Sequence, residues 1–116
     1  MPTLTLYEKP TCTTCRQVAA ILKEKKIAYE TVHYIVEPLS KAKLKDLIRK
    51  TGLAASDLVR TKEESYKALG LSSKKLTDAQ WIDILAEHPE LLQRPIAEKG
   101  ERAVLARPAE RIREIL

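Results

Sequence analysis

The sequence predicts an α/β domain in the order βαβ, a helical middle, then ββα, and three observations predict it. An alternating apolar run, Leu4-Thr5-Leu6-Tyr7, is followed by an apolar helical stripe and then by the β-rich segment Ile27-Ala28-Tyr29-Glu30-Thr31-Val32-His33-Tyr34. Strand, helix and strand within so short a span make a βαβ unit with a right-handed crossover. Between about residues 40 and 92, capping signals and glycine stops recur with helical spacing but no strand pattern. Near the C-terminus, a proline-led apolar run and a second apolar run flank a Gly-containing turn, which is a hairpin pattern.

Taken in order, residues 3–7 form the first strand. Pro10 stops it and biases Lys9 away from the helical region. A helix from about Thr13 to Lys26 follows Cys15, Val18, Ala19 and Leu22, which repeat at i, i+3, i+4 and i+7. After the second strand, Glu37-Pro38-Leu39 breaks the chain. Ser40 caps a helix with Leu44, Leu47 and Ile48 on one face, and Gly52 ends it in the left-handed conformation. Leu53 to Arg60 reads as a short helix or turn. Thr61-Lys62-Glu63-Glu64 reads as a capping box for a helix that stops at Gly70. Thr77-Asp78-Ala79-Gln80 is a second capping box, with Trp81, Ile84, Leu85 and His88 on the following stripe. Pro89 opens a short helical turn, and His88 reads as a helix C-terminal histidine rather than a ligand. Pro95 marks a strand start or a cis bond. Lys99-Gly100-Glu101 is the turn, and Arg102 to Ala106 is the returning strand. Pro108 starts a last helix with Ile112, Ile115 and Leu116 facing inward. The 116 residues read as a single domain with a helical insertion at about 40–92 between two halves.

Composition narrows the function. The chain is 44% hydrophobic and 32% charged, with no phenylalanine and one tryptophan, so its core is aliphatic. No apolar run reaches membrane-spanning length, and the start lacks the charged and apolar regions of a signal peptide, so a cytoplasmic protein without membrane contact is expected; a monomer is the simplest state, though no motif encodes it. The net charge of +5 is spread along the chain without a basic tail or aromatic–basic interleaving. Scattered lysines of this kind make a solvated face, which argues against direct nucleic-acid binding.

The chemistry concentrates at Pro10-Thr11-Cys12-Thr13-Thr14-Cys15-Arg16, where a strand hands over to a helix N-terminus. Free backbone N–H groups and the helix dipole favour a thiolate there, and the thiolate is the nucleophile. Cys12 lies between Pro-Thr and the helix, outside the apolar stripe, so a chemical role is its simplest reading. Cys15, one helical turn on, is placed either to close a disulfide with Cys12 or to serve as a small buried hydrophobe. A zinc site would need two further ligands, and His33 and His88 have no suitable spacing, so no metal is expected.

Three arginines sit at element edges: Arg60 before a predicted cap, Arg94 before Pro95, and Arg107 before Pro108. A guanidinium fork matches tetrahedral oxyanions. Taken singly, each is an ordinary surface charge, and spacing alone does not bring any of them to Cys12.

The ordered set Pro10-Thr11-Cys12, Glu37-Pro38, Leu58-Val59-Arg60, His88-Pro89, Arg94-Pro95-Ile96 and Arg107-Pro108 resembles the glutaredoxin-coupled arsenate reductase family, over nearly the whole chain. The resemblance implies a thioredoxin-like fold with Pro95 cis. It implies that Cys12 attacks arsenate to form a thiol–arsenic ester while Arg60, Arg94 and Arg107 hold the oxyanion. Arsenite and a Cys12–Cys15 or mixed disulfide would result, with glutathione and glutaredoxin, or thioredoxin, as external reductant and no bound cofactor. Two features depart from the glutathione-dependent members: Glu8 stands where they carry histidine, and Cys15 is an added cysteine. A carboxylate at Glu8 is expected to raise the nucleophile's pKa. The Cys12/Cys15 pair with Glu37-Pro38-Leu39-Ser40 is similar to the Spx branch, whose redox-sensing regulators contact RNA polymerase. That is the alternative reading.

Overall fold

The computed structural model describes residues 3–9 and 11–116; Pro10 lies outside the described residues. The chain divides into two compact units, one formed by Met1–Glu37 with Arg94–Leu116 and the other by Pro38–Gln93.

The first unit is a four-stranded sheet with two helices. Strand β1 (Leu4–Glu8), helix α1 (Thr13–Glu24) and strand β2 (Tyr29–His33) make the expected βαβ unit, with β1 and β2 parallel and Glu8 in register with His33. The first helix ends earlier than its stripe predicts. Lys26 takes a positive φ of 56°, and the N–H groups of Lys26 and Ile27 bond back to Lys23 and Leu22, a Schellman-type closure. The second half returns as β3 (Ile96–Lys99) and β4 (Arg102–Leu105), both antiparallel to their neighbours, in the order β2-β1-β3-β4. Gly100 turns the hairpin at φ 61°. This is an α/β sheet of the thioredoxin-like class.

One buried seam holds α1 on the sheet. Leu4 and Leu6 of β1, Val18 and Leu22 of α1, Ala97 and Val104 of the hairpin, and Ala109, Ile112 and Ile115 of the C-terminal helix form a single cluster. A buried leucine contributes about 1.5–3 kcal/mol, so this seam, more than helix propensity, fixes where the α1 N-terminus points. On the other sheet face, the Tyr7 hydroxyl donates to Glu98 Oε1 at 2.7 Å, satisfying a buried carboxylate. The C-terminal element is a 3₁₀ helix, Ala109–Ile115. Pro108 stands before it with an extended ψ of 167°, so it is a cap residue rather than the first helical one. Ile112 and Ile115 are buried, but Leu116 is 40% exposed because the helix has ended.

The second unit is helical. Ser40 caps α2 (Lys41–Thr51) by accepting the Lys43 N–H, and Gly52 closes it at φ 71°. A 3₁₀ turn follows at Ala55–Leu58, then α3 (Glu64–Ala68) and α4 (Asp78–Glu87). The Thr77–Gln80 capping box forms in both directions. The one expected at Thr61 does not: α3 starts at Glu64, and Glu63 is drawn instead to Arg60. Trp81 and Leu85 of the α4 stripe are buried, while Ile84 and His88 are only half-buried. Pro89 opens a 3₁₀ turn, Pro89–Leu91, as its fixed φ allows. Among the described residues no helix is long and apolar enough to cross a membrane.

Candidate active site

Cys12 occupies the N-cap position of α1, with φ −76° and ψ 128°. Its N–H bonds to the Lys9 carbonyl at 2.9 Å, and its own carbonyl accepts the Arg16 N–H at 3.1 Å. Those two bonds set the side chain over the free N–H groups of the first turn, which carries no acidic residue. Cys12 is half-buried and Cys15 is fully buried, and both are free thiols.

The two thiols are pushed apart. Partial burial raises Cys12, but the Cys15 N–H, the Cys15 thiol and the Arg94 guanidinium outweigh it and bring Cys12 down to about 7. Burial pushes Cys15 up to about 12, and the charges of Cys12 and Glu8 add to the rise against a Lys9 N–H that opposes it. Near neutral pH the thiolate is therefore favoured at Cys12 over Cys15, which stays protonated and donates to it. Glu8 acts on the buried thiol, Cys15. Burial raises Glu8 itself, and the nearby His33 pulls it part of the way back.

Arg94 is 8% exposed, an unusual state for a guanidinium. It makes hydrogen bonds with the sulfur of Cys12 and the hydroxyl of Tyr34, a side chain only 1% exposed. Burial works against the charge, and those two partners more than restore it. Its Nε is buried without a partner, so one donor remains unused. Arg107 joins from the far end of the hairpin, with Nη1 donating to the Arg94 carbonyl at 3.0 Å. The Arg94–Pro95 peptide is cis and Pro95 is buried; Arg107–Pro108 is also cis.

The fold thus brings Cys12, Cys15, Arg94, Arg107 and Pro95 into one unit. Arg60 belongs to the other. There its Nε pairs with Glu63 at 3.0 Å and its N–H bonds to the Leu91 carbonyl at 2.7 Å. Tyr34 reads in the sequence as an ordinary residue of a β-rich run, and His33 reads only as a zinc-ligand candidate without suitable spacing. No spacing signal marks them, because their partners come from other elements. Among the described residues no three His, Cys, Asp or Glu side chains are grouped to hold a metal ion.

A nucleophilic thiolate beside a buried guanidinium, with a second thiol one turn behind, can attack an electrophilic centre on an anion and then resolve the adduct. The sequence model of the ArsC family matches residues 7–115. An arsenate reductase of Neisseria meningitidis serogroup A is 37% identical over 117 positions, covering the whole of both chains. An arsenate reductase of Escherichia coli K12 is 34% identical, covering all of this chain and 82% of its own. The solved arsenate reductase of Vibrio cholerae superposes with a TM-score of 0.93 at 34% identity, covering 99% of this chain and 98% of the other.

Proposed function

Since the chain belongs to the ArsC family, we propose that it is a thiol-dependent arsenate reductase in which Cys12 is the nucleophile. The Cys12 thiolate attacks arsenic(V), an S–As bond forms, and one arsenate oxygen leaves as water after protonation. Cys15 then attacks the Cys12 sulfur. The S–S bond forms, the S–As bond breaks with its electron pair on arsenic, and arsenic(III) departs as arsenite. A thioredoxin- or glutaredoxin-type dithiol, or glutathione, returns the disulfide to thiols.

Within this reading Arg94 has two tasks. It lowers the Cys12 pKa, and its positive charge stands beside the sulfur that the oxyanion must approach. Arg107, tied to the Arg94 carbonyl, supplies a second fork beside it. Arg60 is assigned to the oxyanion by the family pattern alone. The observation that supports the reading best is the buried Arg94 guanidinium on the Cys12 sulfur. A plain disulfide reductase has no need of an anion-binding arginine there.

The test is arsenate-dependent NADPH oxidation by purified protein, coupled to thioredoxin and its reductase or to glutathione, glutaredoxin and glutathione reductase. Turnover that disappears in Cys12→Ser supports the proposal. Turnover only in the glutathione system assigns resolution to an external thiol rather than to Cys15. No turnover in either, with a Cys12–Cys15 disulfide that still titrates, rejects arsenate as substrate and favours a redox-sensing regulator.

A further inference from the structure

The seam that packs α1 on the sheet has a polar end. Along β1, side chains alternate between faces, so Leu4, Leu6 and Glu8 point the same way. Along α1, Cys15, Val18 and Leu22 form the buried stripe. Leu4 and Leu6 meet Val18 and Leu22 in the cluster. Continued by one step, the same two rows bring Glu8 towards Cys15. The backbone agrees: the Lys9 N–H, in the peptide unit that follows Glu8, bonds to the Cys15 sulfur, and the Lys9 carbonyl accepts from Cys12. His33 lies in register with Glu8 on the neighbouring strand, and its Nε2 is buried without a partner.

The Glu8 carboxylate lies close enough to Cys15 for its charge to hold the thiol proton on. We propose that Glu8 is the proton acceptor for Cys15 when Cys15 attacks the sulfur of Cys12. The proposal rests on the resolving role given to Cys15 above. Cys15 is a poor nucleophile while protonated, and no solvent reaches it. In the step, the Cys15 S–H bond breaks and its proton passes to a Glu8 oxygen. The Cys15 electron pair forms the S–S bond, and the bond from Cys12 to its adduct breaks with its pair on the leaving group. The proton then leaves Glu8 for solvent or for the released oxyanion.

The electrostatics favour that sequence. Besides burial, the groups that hold the Cys15 proton on are the negative charges of Cys12 and Glu8. Formation of an adduct on Cys12 removes the first, and proton transfer to Glu8 removes the second. Burial raises Glu8, which narrows the gap between donor and acceptor, and His33 opposes the rise.

The experiment isolates this step from arsenate. Reduced protein is mixed with 5,5′-dithiobis(2-nitrobenzoate), and thionitrobenzoate release is followed by stopped flow from pH 5 to 10. The first phase reports Cys12, and the second reports attack by Cys15 on the mixed disulfide. In Glu8→Gln the second phase is expected to slow on the order of 100-fold at neutral pH, the lower range for a general base. It is also expected to lose its neutral plateau and rise with hydroxide instead. A far-UV circular dichroism spectrum and a urea midpoint like those of wild type show that the variant is folded. A second phase in Glu8→Gln that matches wild type in rate and pH profile overturns the proposal. A second phase that persists in Cys15→Ser overturns the resolving role beneath it. Arsenate turnover does not enter either result.

Discussion

The guanidinium of Arg94 donates a hydrogen bond to the sulfur of Cys12, across the whole helical middle of the sequence. It joins the start of α1 to a residue two positions before β3, and both lie at one end of the sheet because β3 runs antiparallel beside β1. A side chain that is nearly buried and still charged is held there by its partners, so its removal is felt at the thiol.

The first prediction is a thiol titration. The rate of Cys12 alkylation by iodoacetamide should rise with a midpoint near 7. Arg94→Gln removes a donor and a positive charge that both favour the thiolate, so the midpoint should move up. An unchanged midpoint would show that the helix N-terminus acts without Arg94.

Tyr34→Phe deletes the hydroxyl that Arg94 bonds in addition to the Cys12 sulfur. Arg94 then has another buried donor without a partner, at a cost of about 1–3 kcal/mol. Urea unfolding should show that loss, and the KM for arsenate should rise more than kcat falls. Wild-type stability in this variant would mean that the buried phenol does not position Arg94.

Arg107→Ala should reduce kcat/KM for arsenate on the order of 10- to 100-fold, the value of a charge-assisted hydrogen bond. It should leave the Cys12 alkylation midpoint in place, since its contact is with the Arg94 carbonyl. Arg60→Ala tests the role that the family pattern assigns to Arg60 in the same assay. Wild-type kcat/KM would remove Arg60 from the reaction.

Stability should follow pH through both cysteines, with opposite signs. Cys12 has a folded value near 7 against about 9 for a free thiol, so its contribution is absent below 7, grows between 7 and 9, and is complete above. Cys15 has a folded value near 12, so its contribution is complete below 9 and is lost between 9 and 12. Urea midpoints across pH 6–11 should therefore show wild type gaining on Cys12→Ser up to pH 9. Wild type should then lose ground to Cys15→Ala above it. A flat difference in either comparison rejects that cysteine's shift.

Two threonines offer a test of the helical unit. Thr77→Ala removes a reciprocal capping box and should cost about 1 kcal/mol. Thr61→Ala should cost much less, because Thr61 caps nothing: Glu63, not Thr61, stands at the N-cap of α3, and its carboxylate is engaged by Arg60. Equal costs would restore the sequence-based capping of Thr61.

What the sequence determined by itself is the local part. Ser40 and Thr77 cap because their oxygens reach an N–H three residues on, Gly52 closes a helix because it alone takes positive φ freely, and the Cys15–Val18–Leu22 stripe buries because its period matches the helix. Cys12 at the strand-to-helix junction was legible for the same reason. Where a local rule met a stronger partner it failed, as Thr61 did when Arg60 took Glu63, and as Leu116 did when the last helix stopped short. Only the tertiary structure decided what surrounds the thiols. The strand order β2-β1-β3-β4 brings Arg94 to Cys12, ties Arg107 to Arg94 and sets Tyr34 against Arg94; the packing of α1 on β1 brings the Glu8 charge near Cys15. Spacing along the chain carries helix and strand periods, whose partners are a few residues away. The pKa values at this site depend on burial and on charges from distant elements, which exist only once the sheet has closed around them.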